Sequence, residues 1–80
     1  MFNKIKEYIN DNEFRVTIFK DRIYIVNYLQ IIGLEEERIS LLIPDGRLII
    51  KGLNLHLNKL LDNELLISGK VLLVEVESNE

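Results

Sequence analysis

His56 is the single histidine of this 80-residue chain, and it stands between Asn54 and Asn58. A lone imidazole flanked by amides suggests a metal ligand or a proton carrier. A zinc set draws on several nitrogen or sulfur donors, and the chain has no cysteine and no second histidine. General acid–base work needs a neighbour that tunes the group toward the working pH, and no such neighbour can be placed from spacing. His56 therefore reads as an exposed strand residue. Asp45-Gly46 lacks the further glycines and Lys-Ser/Thr of a phosphate loop, and it lacks the acidic ladder of a calcium loop. Glu35, Glu36 and Glu37 read as a solvated loop, while Asp45, Asp62 and Glu64 fall in separate turns. Ser40, Ser68 and Ser78 are in no nucleophile-elbow context. The expectation is a protein without catalytic residues, metal or cofactor.

The elements that carry these residues are read from period-2 patterning. Ile39, Leu41 and Ile43 alternate with Arg38, Ser40 and Leu42, and Leu48 and Ile50 alternate with Arg47, Ile49 and Lys51. Pro44-Asp45-Gly46 separates the two runs, which is the signature of a β-hairpin. Either Asp45-Gly46 forms a two-residue type I′ turn or Pro44 occupies the second position of a four-residue loop. Both place Ile43 opposite Leu48 and Leu41 opposite Ile50. Leu42 and Ile49 are then opposite each other on the second face.

Earlier in the chain, Phe14, Val16 and Ile18 form one strand, Lys20-Asp21 a tight turn, and Ile23 and Ile25 a second strand. Asn27 is a bend, and Leu29–Leu34 form a third short strand. Later, Gly52 ends the hairpin and Leu53, Leu55 and Leu57 alternate with Asn54, His56 and Asn58. Asp62-Asn63 turns the chain, Leu65 and Ile67 form a strand that Gly69 breaks, and Val74 and Val76 anchor the last one. Val71 is out of phase with Val74 and Val76, which places a β-bulge near Leu72-Leu73. Met1–Asn12 carries Phe2, Ile5, Tyr8 and Ile9 on one helical stripe, and reads as a short amphipathic helix or a tail.

Six to eight short strands with no βαβ unit predict an all-β fold: a small antiparallel β-sandwich, immunoglobulin-like or a partly open barrel, with a short N-terminal helix or tail. The expected organisation is residues 1–12 as the amphipathic segment or tail, 13–77 as one β domain and 78–80 as a polar tail. A chain this short buries only about 60% of its unfolded surface. Hydrophobic residues make up 48% of it, enough for a core. The absence of cysteine fits a reducing compartment. The net charge of −3 argues against nucleic acid, which needs a basic stripe. No apolar run reaches the roughly 20 residues of a membrane span, and no signal-peptide core is seen. A cytoplasmic protein is expected.

Apolar residues on faces that alternation would leave to solvent are the anomaly: Phe19, Tyr24, Val26, Leu42, Ile49, Leu66 and one of Leu72 or Leu73. Clustered, they would make a patch that monomers rarely tolerate. Their cover is a second sheet, the N-terminal segment or another protein chain. On the third reading the interaction surface is Leu42, Ile49 and Leu66, with Asn54 and His56 as polar neighbours, and the partner is another protein or a second copy in a homodimer. A second class of reading is a ligand- or glycan-binding module with a pocket at Tyr24, Tyr28 or His56.

The string G-R-L-I-I-K-G-L-N-L-H-L-N-K-L, Gly46 to Leu60, resembles the YabP/YqfC family of sporulation proteins. The likeness lies in Gly46, Leu48, Ile50, Gly52, Asn54-Leu55 and Leu57, and it runs from about Phe14 to Val76. R-V-T-I-F, R-I-Y-I and Asn27 are similar to the family's first strands and bend, and L-L-I-S-G-K-V to a later strand. The chain departs from the family at Leu29-Gln30, where a glycine is usual, and at Leu72 and Leu73, which are usually more polar. The resemblance implies a small β-sandwich-like protein of endospore-forming bacteria, acting in the mother cell during spore formation, with no catalytic residues to carry over.

Overall fold

The computed structural model describes residues 13–78, and the amphipathic segment expected over residues 1–12 lies outside them. Six strands follow in order: β1 Arg15–Ile18, β2 Arg22–Val26, β3 Gln30–Leu34, β4 Arg38–Ile43, β5 Gly46–Leu60 and β6 Glu64–Ser78. They form one antiparallel sheet in the order β1-β2-β6-β5-β4-β3. The fold is all-β, as the patterning predicts.

The two long strands organise everything else. β5 and β6 are each 15 residues long and pair along nearly their whole length. β4 pairs only with the first part of β5, from Arg38↔Lys51 to Ile43↔Gly46. β2 pairs only with the first part of β6, from Arg22↔Ser68 to Val26↔Glu64. Each end of the β5–β6 hairpin is thereby widened into a four-stranded half. One half is β1, β2, the start of β6 and the end of β5. The other is the end of β6, the start of β5, β4 and β3.

The halves face each other. Straight 15-residue strands would span roughly 45–50 Å, whereas the longest dimension of the molecule is 41 Å. Ile23, Ile25, Leu65 and Ile67 of one half share a single buried cluster with Ile39, Leu41, Ile43, Leu48 and Ile50 of the other. Phe14, Val16, Tyr28, Ile31, Leu57, Val71 and Val74 pack around it. At the open end, Asn27 N donates to Asn63 O and Leu29 N to Leu42 O. Residues two apart span at most about 7 Å, so this crossing holds the ends of the halves together. The sandwich is thus one sheet bent over on itself, not two unlinked sheets as in an immunoglobulin domain.

The bend is written in bulges and glycines. The β5–β6 register shifts between Lys51 and Gly52, where Leu72 is the extra residue on β6, as its phase predicts. It shifts again between Leu53 and His56, where Asn54 takes a positive φ of 54°. A residue in the left-handed region turns its neighbours apart, so Leu53 is exposed while Leu55 is buried. Bulges bend and over-twist a strand. Gly52 and Gly69 lie where backbones come together: an added Cβ would sit 2.0 Å from Lys70 O at Gly52 and 2.6 Å from Asn54 O at Gly69. These glycines therefore bend continuous strands, where the sequence reading has them ending short ones. The turns of the outer hairpins are clipped to this waist, with Gly69 N donating to Asp21 O, Gly52 N to Glu37 O and Leu55 N to Glu36 O.

The Pro44 hairpin forms in a different register from the expected one. Ile43 is opposite Gly46, Leu41 opposite Leu48 and Ile39 opposite Ile50. Pro44 and Asp45 are the two turn residues, and Asp45 has φ 65°. Proline at the second position and positive φ at the third is the φ pattern of a type II turn. The shift is two residues, so every side chain keeps its face.

Candidate interaction surface

The sequence points to Leu42, Ile49, Leu66, Asn54 and His56, and the structure divides them. Leu42 lies on the outer face of β4, opposite Arg47 on one side and Gln30 on the other. Ile49 is opposite Ser40 and Glu75, so Leu42 is its diagonal neighbour and not its direct partner. The two-residue register shift is the cause. Ile49 is only 4% exposed, which leaves little of it open to a docking chain, and Leu42 is half-buried. Ile49 is on a central strand whose outer face carries two ion pairs, Arg47–Glu77 at 3.1 Å and Lys51–Glu75 at 3.8 Å.

Leu66 lies on the outer face of the other half, opposite Tyr24. It lines a cavity of about 240 Å³ with Tyr24, Leu61, Glu64 and Leu65. The Tyr24 hydroxyl donates to Glu64 Oε1. This hydrogen bond is the main reason that the Tyr24 pKa is raised above its ordinary 10.0, followed by burial and the Glu64 charge, with Arg15 opposing. Tyr28 lines a separate cavity with Leu60, Leu61, Asp62 and Asn63, and its hydroxyl donates to Leu61 O at 3.4 Å.

His56 is exposed opposite Ser68, on the same outer face as Leu66. Its Nδ1 is 3.0 Å from the carbonyl oxygen of Asn54, which anchors the ring to its own strand. The structure therefore brings together Leu42 with Ile49, and Leu66 with His56. It sets the two pairs on outer faces that point away from each other. Asn54, the fifth, lies in the bulge between Leu53 and His56, so the residues predicted as one surface do not form one.

The sequence reading allows contact through a sheet face or an edge strand, and the structure shows which strands are edges. Among the described residues, β1 and β3 end the sheet, and β2 and β4 each cover only part of a long strand, so four stretches have one open side: β1, β3, the end of β5 and the end of β6. An open edge is a template for another strand, and proteins blunt such edges with bulges and charge. β3 is bulged at Ile32, which is 51% exposed, and the end of β5 shifts register between Leu57 and Lys59. β6 is bulged at Leu72, 60% exposed, but runs regularly from Leu73 to Ser78. β1 pairs regularly with β2 throughout. Ile18 on β1 and Val76 on β6 point to the core side, yet are 60% and 65% exposed because the sheet stops beside them. The out-of-phase Val71 was the sequence signal for the β6 bulge. Which strands are edges is set by pairing order, which periodicity does not encode.

No curated protein and no solved structure matches the chain significantly. A sequence profile of the YabP family matches residues 11–80. Strand order, the Gly52 bend and the Asn54 bulge all lie within that matched stretch, and the chain belongs to the YabP family.

Proposed function

We propose that this protein is a non-enzymatic structural or scaffolding component of endospore formation, working in the cytoplasm of the mother cell through protein–protein contacts. Membership of the YabP family is the observation that carries the reading. Exposed apolar side chains beside open strand edges support the contact mechanism: Ile18, Leu34, Leu72 and Val76 are all in strands and largely open to solvent. An open strand edge is itself a template for a strand of another chain. The polar groups support a role other than chemistry, since His56 is held by its own strand and the Glu64 carboxylate by Tyr24. No helix of the described residues is long and apolar enough to cross a membrane.

The test is genetic and physical together. Deleting the chain from a sporulating host is expected to lower the yield of heat-resistant spores without slowing vegetative growth. Cross-linking in sporulating cells is expected to trap the chain on itself or on another spore-forming protein. Normal spore yield in the deletion strain overturns the reading.

A further inference from the structure

The two regularly paired open edges match each other. The end of β6 presents Val74, Glu75, Val76 and Glu77, with Glu75 and Glu77 on the outer face opposite Ile49 and Arg47. Val74 and Val76, opposite Ile50 and Leu48, are on the core side. β1 presents Arg15, Val16, Thr17 and Ile18, with Arg15 and Thr17 outside opposite Val26 and Tyr24. Val16 and Ile18 are on the core side, opposite Ile25 and Ile23. One edge is acidic outside and aliphatic inside. The other carries Arg15 and the neutral Thr17 outside and is aliphatic inside.

We propose that β1 of one copy adds to the end of β6 of a second copy, giving a head-to-tail assembly of this chain. This rests on the reading of the protein as one that works through protein contacts. An antiparallel register placing Arg15 opposite Glu77 of the second copy also sets Val16 against Val76, Thr17 against Glu75 and Ile18 against Val74. Every outer residue then meets an outer residue and every inner residue an inner one, as antiparallel pairing requires. The exposed Ile18 and Val76 are covered in the same step. Arg15 makes no ion pair among the described residues, although it lines a cavity with Tyr24 and Glu64. Glu77 keeps Arg47 on its other side.

The same charges reject the symmetric alternative. Pairing the end of β6 with itself, faces matched, sets Glu75 against Glu75 or against Glu77, and like charges directly opposite each other are destabilising. The partner edge has to be basic, and β1 supplies that. Each copy carries one edge of each kind, so the contact is heterologous and copies add one after another, as a row or, where the rotation between them closes, a ring.

Sedimentation velocity from micromolar to millimolar concentration, with the full chain, tests this. The expected result is a graded series of species that grows with concentration and shrinks with added salt. Arg15→Glu alone sets Glu against Glu77, and Glu77→Arg alone sets Arg against Arg15. Each is expected to weaken association roughly tenfold, the effect of turning one attractive exposed pair into a repulsive one. Circular dichroism checks that each variant keeps its strands. An equimolar mixture of the two variants is expected to regain assembly, because both kinds of contact are then Glu with Arg. A chain that stays monomeric throughout, a closed dimer, or a mixture no better than its components overturns the proposal. A deletion strain with normal spores overturns the sporulation reading instead, and a monomeric chain that is still needed for spores overturns only the head-to-tail contact.

Discussion

Asn54 and Gly69 face each other across the waist of the sheet, and both have positive φ, 54° and 127°. An added Cβ on Gly69 would lie 2.6 Å from the Asn54 carbonyl oxygen. Gly69→Ala therefore meets both a backbone conformation that side chains avoid and a contact that cannot relax without moving β5. Strained residues of this kind cost about 1–3 kcal/mol each. Urea unfolding is expected to show a loss at the upper end of that range, and Asn54→Gly a loss of only a few tenths of a kcal/mol.

Ile49 and Leu72 separate the two kinds of outward-facing apolar residue. Ile49 is buried and Leu72 is open. Ile49→Ala is expected to cost about 2–4 kcal/mol, as buried aliphatic truncations do. Leu72→Ser is expected to stay within about 0.5 kcal/mol. Denaturant midpoints for the pair check this directly, and a large loss from Leu72→Ser would show that the bulge itself is a packing element.

Asn27 ties the crossing between the halves. Its φ is 65°, its Nδ2 donates to Glu13 O at 2.8 Å, and its Oδ1 accepts from Asn63 Nδ2 at 3.0 Å. Asn27→Ala loses both the bonds and the tolerance of that φ, and about 1–3 kcal/mol is expected. Asn27→Gly restores the φ alone and should recover part of the loss in thermal unfolding.

Tyr24 sets an alkaline limit. Its pKa is raised in the folded chain, chiefly by the hydrogen bond to Glu64. The folded state holds this proton more tightly than the unfolded one, so the contribution is complete below pH 10.0, the unfolded value, and fades as pH rises through the higher folded value. Melting curves across that range are expected to fall more steeply for the native chain than for Tyr24→Phe. Parallel curves for the two would remove Tyr24 as the cause.

Much of this fold can be read from the residues because side-chain alternation is strict. Leu41, Ile43, Leu48 and Ile50 are assigned to one face, and all four are in the core. The same alternation is blind to a two-residue slip, which is why the Pro44-Asp45 turn moves the register without moving any face. Gly52 and Gly69 read as strand ends because a glycine inside a strand and one after it leave the same trace. Only the phase change at Val71 distinguishes them, and it reveals the bulge at Leu72. The predicted surface fails as a unit for a different reason. Leu42 and Leu66 are both outward residues, but the bend that sends them to opposite sides belongs to tertiary packing.

The pairing of β2 with β6 has a consequence in time. Ile23 finds its neighbour Ile67 only after β3, β4 and β5 have been made. A growing polypeptide must therefore carry β1 and β2 without the cover of β6 until β6 leaves the ribosome, and closing so long a loop slows folding.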